Sequence, residues 1–295
     1  MSEIKITLSE YAGFCEGVDR AYSMVEQIAN DPKVKKPMAV LGSLVHNSDV
    51  VKKIEKLGVK RIDLQETLED TLKDAKGKVK TIIITAHGMG PRVYSLARKM
   101  GIELIDTTCP KVTKVQRLAK HFLGKMCQIV IIGESGHKEV KGIFEWADKK
   151  AVFIEKEDDL EKMVLDPEKK IAVLSQTTQD RDFVKRASEF IRNKYKDVQV
   201  VDSICDTTHN RQSEIENLAK EHDSVIVIGS PESSNSNRLW EIAKRVNDRT
   251  FFIERATQLR SDLIGGSRKI AVTAGASTPK WIIDEVMEYL NKNLK

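Results

Sequence analysis

The chain has 295 residues, is 40% hydrophobic and 32% charged, and carries a formal net charge of +5. That composition excludes disordered and fibrous classes and leaves room for two or three small packed cores. Acidic and basic residues interleave, as in Lys52, Lys53, Glu55 and Lys56, so no gathered basic stretch and no nucleic-acid partner are expected.

From the amino terminus, Met1 to Glu10 lacks a charged-then-apolar leader. The apolar runs Ile82–Ile84, Ile129–Ile132 and Val225–Ile228 fall far short of the ~20 residues of a membrane helix. A cytoplasmic protein with no membrane partner is expected. A loose strand, Ile4–Leu8, leads to Cys15, and a helical pattern follows in Val18, Ala21, Val25 and Ile28. The apolar strand Met38–Gly42 ends in glycine, with His46 four residues beyond. A second strand starts after Lys80, with His87 just past its end, and Ile102–Asp106 leads to Cys109.

The cycle then begins again. Pro110 opens a helix marked by Val112, Val115, Leu118 and Phe122, and the strand Ile129–Gly133 is followed by His137. The next strand follows Lys170 and precedes Thr177, and Val198–Asp202 leads to Cys205. In the third pass Thr208 reads as a first-turn or capping residue, with Ile215 and Leu218 on the helix. Val225–Gly229 is followed by Ser233, and the strand after Lys269 by Ser277.

Cys15 to Cys109 spans 94 residues and Cys109 to Cys205 spans 96; from each cysteine to its strand glycine the distances are 27, 24 and 24. Agreement in cysteine, glycine and second-strand phase predicts a triplicated α/β chain. The expected repeats are 1–108, 109–204 and 205–295, with largely parallel sheets in a pseudo-threefold arrangement.

In such sheets ligands bind beyond the carboxyl ends of strands, where His46, His137 and Ser233 and then His87, Thr177 and Ser277 fall. Four widely scattered cysteines in a reducing compartment are metal ligands, catalytic groups or core filler before they are disulfides. Three thiolates meeting from equivalent positions suit a [4Fe–4S] cluster with one iron left open for substrate, since four cysteines are its usual complement. Zinc is the competing metal, but the close cysteine pairs of structural zinc sites are missing from the sequence. Cys127 is out of phase, where the other repeats have Lys36 and Asp223, and reads as core filler. The loop Gly229–Asn235 is rich in hydroxyls and opens a helix, a pattern that serves either a phosphate or simple capping. Glu139, two residues past His137, is either a proton relay or a solvated loop acid.

Nine blocks, in order, resemble the 4-hydroxy-3-methylbut-2-enyl diphosphate reductase (LytB) family of the non-mevalonate isoprenoid route. They are Gly13-Phe-Cys-Glu-Gly-Val-Asp-Arg-Ala21, Val45-His-Asn47, Ala86-His-Gly88, Asp106-Thr-Thr-Cys-Pro110 and Gly136-His-Lys-Glu-Val140, then Ser175-Gln-Thr-Thr178, Cys205 with Asn210-Arg-Gln212, Ser233-Ser-Asn-Ser-Asn-Arg-Leu239 and Thr273-Ala-Gly-Ala-Ser277. The resemblance implies a trefoil around one [4Fe–4S] cluster with three cysteine ligands, Cys15, Cys109 and Cys205, and one open iron. It implies that His46, His87 and His137 line the substrate cavity. Ser233, Asn235 and Ser277 would hold the diphosphate, with Ser234 and Thr208 in the same site. Thr177 would lie near the substrate hydroxymethyl group, and Glu139, aided by Thr177 and His137, would deliver the proton. The implied partners are the allylic diphosphate and a ferredoxin or flavodoxin as electron donor. Lys138, Asp206 and His209 depart from the family pattern at the edge of these blocks.

Two rival readings differ in what they require. A quinolinate-synthase-type iron–sulfur dehydratase acts on carboxylates and would line its cavity with arginines; the matched loops here offer histidine, threonine, serine and asparagine. A non-enzymatic iron–sulfur redox sensor needs neither Glu139 nor a hydroxyl-rich loop.

Overall fold

The computed structural model describes residues 4–259 and 265–293. It contains three four-stranded, wholly parallel sheets. Strand β1 is Lys5–Leu8. The first sheet holds β2 (Met38–Leu41), β3 (Val59–Ile62), β4 (Thr81–Ile84) and β5 (Glu103–Asp106), in the order β3-β2-β4-β5. The second holds β6 (Gln128–Ile132), β7 (Ala151–Ile154), β8 (Ile171–Ser175) and β9 (Val198–Val200), ordered β7-β6-β8-β9. The third holds β10 (Ser224–Ile228), β11 (Thr250–Ile253) and β12 (Lys269–Ala274), ordered β11-β10-β12-β1.

One order recurs three times, and the two inner strands of each sheet are those read from the sequence. The strands β3, β7 and β11 were not foreseen. Each is a four-residue outer strand; Val59-Lys-Arg-Ile62 exposes its two middle residues and so has no long apolar signature.

The expected boundary of the first repeat is corrected at Ile4–Leu8. Strand β1 pairs with β12, with Lys5 opposite Lys269 and Leu8 opposite Val272. The strand before each later cysteine closes the sheet that precedes that cysteine; by the same rule the strand before Cys15 closes the last sheet. Each cysteine therefore lies where the chain leaves one sheet for the next.

The helices are α1 (Glu16–Asn30), α2 (Ser48–Lys56), α3 (Leu68–Ala75), α4 (Arg92–Met100), α5 (Pro110–Gly124), α6 (Lys138–Trp146), α7 (Glu157–Lys162), α8 (Arg181–Lys194), α9 (Asp206–Glu221), α10 (Ser234–Val246) and α11 (Lys280–Asn293), with a 3₁₀ turn at Ala256–Gln258. Parallel strands covered on both faces are apolar throughout, as Gln128–Ile132 and Ser224–Ile228 nearly are. In the second sheet Ile129 and Ile131 face Val115 and Phe122 of α5 and Ile143 of α6. Val130 and Ile132 turn the other way, toward Phe183 and Ile191 of α8. The third sheet repeats this with Val225 and Val227 against Ile215 of α9 and Leu239 of α10, and Ile226 and Ile228 against Ile282 and Val286 of α11. Each fully buried isoleucine contributes about 2 kcal/mol, so the inner strands are the rigid base from which the loops leave.

The chain divides into two compact units. One comprises the described parts of Met1–Val18, His46–Val50 and Cys205–Lys295 and holds the third sheet; the other comprises Asp19–Val45 and Val51–Ile204 and holds the first two. No helix among the described residues is long and apolar enough to cross a membrane.

Candidate functional site

In the larger unit the chain leaves β6 at Gly133 and reaches His137, which caps α6: its Nδ1 accepts the Glu139 N–H at 3.2 Å. With Nδ1 acting as acceptor, the ring proton of a neutral His137 sits on Nε2. The His87 ring, from the loop after β4, meets the His137 ring edge to face with centroids 5.5 Å apart. Glu139 is buried in the first turn of α6. Its Oε1 accepts the Thr177 backbone N–H at 2.6 Å and its Oε2 accepts the Thr177 hydroxyl at 2.9 Å. Thr177 comes from the end of β8, so two adjacent strand ends of one sheet bring acid and hydroxyl together.

Burial raises the Glu139 carboxyl to about 7, and the two bonds from Thr177 only partly oppose that rise. Glu139 is therefore not a solvated loop acid but an acid that gains and loses its proton near neutrality, the property a proton donor needs.

Gln116 was not singled out in the sequence. It is buried on α5 between two glycines: a Cβ on Gly88 would lie 2.5 Å from its Nε2, and one on Gly142 would lie 3.1 Å away. The missing Cβ atoms let the His87 loop and α6 close on the same side chain.

In the smaller unit, Ser236 of α10 is wedged between two strand ends. A Cβ on Gly229 would lie 2.3 Å from its Oγ, and a Cβ on Gly275 only 1.9 Å away. Glycine at both places lets the amino end of α10 approach the sheet. Ser233 caps the helix by accepting the Ser236 N–H at 3.3 Å, and the Ser277 hydroxyl donates to Ser233 Oγ, also at 3.3 Å. Ser233 does cap, as the simpler reading required, yet capping leaves the neighbours unexplained. Asn235 is buried with an amide Nδ2 that has no hydrogen-bond partner among the described residues, and the Ser236 hydroxyl is likewise unpartnered. A helix amino end with buried, unsatisfied donors suits an anion with many acceptor oxygens. His46 borders this loop, its Nδ1 3.6 Å from a Glu232 carboxylate oxygen. Thr208 is buried in the first turn of α9, where Cys205 rather than Thr208 takes the cap position.

The cysteines divide by their place in the fold. Cys109 and Cys205 are the cap residues of α5 and α9, and Cys15 immediately precedes α1. All three are reduced and half-buried. Cys127 is also half-buried and packs at its edge against the core around Ile129 and Ile131.

Arg211, quoted in a motif but assigned no role from sequence, proves to be a central group of the smaller unit. Its Nη1 donates to the Ala274 carbonyl at 3.0 Å and its Nη2 to the Gly13 carbonyl at 2.6 Å. Its Nε is buried and unpartnered among the described residues. Burial pulls the guanidinium below its ordinary range, while the charges of Cys15, Glu214 and Cys205 oppose that shift. The Glu214 carboxylate is already occupied by the Ser9 hydroxyl and the Glu10 N–H. A buried cation whose hydrogen bonds go to neutral carbonyls calls for nearby anions, and sulfur in the thiolate form supplies them. Cys15 and Cys205, which act on that guanidinium, are thus suited to holding an iron–sulfur group, and Cys109 shares their place at a helix start, whereas Cys127 precedes a strand.

Of the departures, Asp206 and His209 are exposed, and Lys138 lies where a Cβ on Gly42 would meet its Nζ at 3.4 Å.

Three repeats of one parallel sheet, with a buried acid raised toward neutrality and a hydroxyl-rich helix start just past the carboxyl ends of strands, mark a triplicated α/β enzyme. The chain belongs to the LytB protein family, whose profile matches residues 6–291. The 4-hydroxy-3-methylbut-2-enyl diphosphate reductase of Symbiobacterium thermophilum is 36% identical over 293 residues, covering 99% of this chain and 97% of that one. The enzyme of the same name from Geotalea uraniireducens is 38% identical over 290 residues, 98% of each chain. The solved structure of the E-1-hydroxy-2-methyl-but-2-enyl-4-diphosphate reductase of Plasmodium falciparum matches with a TM-score of 0.88 at 29% identity, over 99% of this chain and 89% of that one.

Proposed function

We infer that this chain reduces 4-hydroxy-3-methylbut-2-enyl diphosphate to isopentenyl diphosphate and dimethylallyl diphosphate, the last step of the non-mevalonate route to isoprenoids. The observation that carries the reading is the buried Glu139 carboxyl held at both oxygens by Thr177. Full-length similarity to enzymes bearing that name supports it and sets aside the condensing dehydratase and the redox sensor.

The reaction replaces a C–OH bond by C–H: it takes up two electrons and two protons and releases one water. Held by Cys15, Cys109 and Cys205, a [4Fe–4S] cluster with one open iron would supply the electrons singly and a Lewis-acidic centre that weakens the C–O bond. Glu139, neutral below about pH 7, gives its proton to the departing oxygen. Thr177 holds the carboxyl in register and orients the substrate hydroxymethyl group. His137, with Nδ1 occupied by the α6 amide, offers its Nε2–H alongside. The diphosphate takes the donors of Ser233, Ser234, Asn235 and Ser277, with Thr208 at its edge and His46, His87 and His137 lining the cavity. A ferredoxin or flavodoxin delivers the electrons, and the enzyme works in the cytoplasm; the four free cysteines accord with a reducing compartment.

The test is anaerobic purification followed by an assay with the allylic diphosphate and a chemical reductant. Formation of both five-carbon diphosphates is expected; iron-loaded protein that makes neither would overturn the reading.

A further inference from the structure

The interleaving of charges that holds along most of the chain breaks down twice, over residues 75–102 and again over 107–133, and only the second stretch follows one of the three repeat cysteines. Between Asp106 and Glu134 lie 27 residues without a single carboxylate, yet they contain Lys111, Lys114, Arg117, Lys120 and Lys125 as well as His121. This segment is the helix that follows Cys109. The helices that follow the other two cysteines begin with acids instead, Glu16 and Asp19 in α1 and Asp206 in α9. The three repeats are therefore alike in fold but unlike in charge, and only the second shows a cationic helix beside its cysteine.

That helix borders a cleft of about 770 Å³ lined by Arg20, Lys114, Arg117 and His121, all exposed, together with Thr108 and Pro110 on either side of Cys109. Lys114 and Arg117 form no ion pair among the described residues. The one acid of the lining, Asp106, is already spent, accepting the Tyr94 hydroxyl at 2.6 Å and the Thr108 N–H at 2.9 Å. Arg20 leans on the Thr108 carbonyl at 3.3 Å, so its charge too is fixed at this rim. From Cys109 to His121 the helix rises about 18 Å, a length that suits the footprint of a small protein rather than a metabolite.

We propose that the cleft along α5, between Arg20 and the Lys114, Arg117 and His121 face, is the docking surface for a small acidic electron-carrier protein. The proposal rests on the reductase reading, which requires two electrons per turnover from outside the substrate. A carrier seated against Thr108 and Pro110 has its redox centre beside the chain neighbours of Cys109. An anionic carrier gains from a cationic landing site mainly in its rate of encounter, by a factor of about 10 to 1,000 that falls with added salt. Nucleic acid, which would also meet a cationic cleft, offers nothing to a reaction that needs electrons.

The experiment compares the iron-loaded wild type with a Lys114→Glu/Arg117→Glu variant and with a control of equal charge change on α8, Lys185→Glu/Arg192→Glu. The probe is an acidic two-iron ferredoxin: binding of its oxidised form is followed by calorimetry, and electron delivery by its reduced form by stopped flow. Turnover with a reduced viologen dye is run in parallel. The α5 reversal is expected to weaken binding and slow delivery at least tenfold at low salt and to flatten the salt dependence, with dye-driven turnover within twofold of wild type and the α8 control unaffected. Unchanged ferredoxin binding in the α5 variant, or an equal loss in the α8 control, overturns the proposal. So does a variant that loses only retention on single-stranded nucleic acid, which would assign the cleft to a phosphate backbone. A wild type inactive with the dye strikes at the reductase reading instead, and the calorimetric binding still decides the docking surface.

Discussion

Thr177 grips Glu139 twice, with its backbone N–H on Oε1 at 2.6 Å and its hydroxyl near Oε2 at 2.9 Å. The amide can only donate, so Oε1 is committed as an acceptor. The proton of the neutral carboxyl therefore belongs on Oε2, where the Thr177 hydroxyl can turn and accept it. Geometry alone thus singles out one oxygen as the acid.

Replacing Glu139 by Gln keeps an acceptor for the Thr177 amide but removes the transferable proton. The variant is expected to retain its iron and lose about 100-fold or more in turnover. Single-turnover reduction of the allylic diphosphate measures this, and a rate near wild type would refute the assigned role.

The same carboxyl ties stability to pH. Below its ordinary value of 4.5 both folded and unfolded chains hold the proton, and stability is full. As pH rises toward 7 the unfolded chain releases its proton first, and folding weakens by about 3 kcal/mol. Urea unfolding of the metal-free protein between pH 4.5 and 8 should show this fall in the wild type and not in Glu139→Gln. Parallel curves for the two proteins would contradict it.

Ser236 and its two facing glycines make a steric test of how the start of α10 packs on the sheet. Gly275→Ala is expected to cost about 1–3 kcal/mol, since its Cβ would fall 1.9 Å from Ser236 Oγ. Adding Ser236→Gly should restore much of that loss, because the atoms in collision are gone. Thermal unfolding of the single and double variants decides it; no recovery in the double variant would mean the collision is not the cause.

Arg211→Met should destabilise the smaller unit by about 3 kcal/mol by stranding the Gly13 and Ala274 carbonyls. Arg211→Lys should recover only part, because one ammonium cannot reproduce the fork to both carbonyls. Denaturant midpoints measure both, and a methionine variant as stable as wild type would show that the guanidinium holds nothing.

Cys109→Ser is expected to abolish iron binding, whereas Cys127→Ser should leave iron content and the visible spectrum unchanged. Equal loss in both would show that the wrong sulfurs had been chosen.

Much of this was legible in the sequence because the repeat supplied its own alignment. Cysteine, strand glycine and second-strand lysine kept phase, and so the inner strands and the residues beyond their ends fell into register without structural help. The outer strands did not, because Val59–Ile62 carries two exposed basic residues and so gives no run long enough to read. Arg211 was invisible for a different reason: its partners are two backbone carbonyls remote in sequence, and a carbonyl leaves no trace in residue identity. Gln116 likewise shows its role only through the glycines that face it. The carboxylate-free stretch around α5 was in plain view, but a modest overall net charge conceals local imbalance.

The pairing of Lys5 with Lys269 joins positions 264 residues apart in sequence. The third sheet therefore cannot close until the ribosome has made β12, and β1 must wait, with its edge unsatisfied, through nearly the whole of synthesis. A chain interrupted late in translation would keep two finished sheets and an orphaned strand, a form ready for recognition by chaperones.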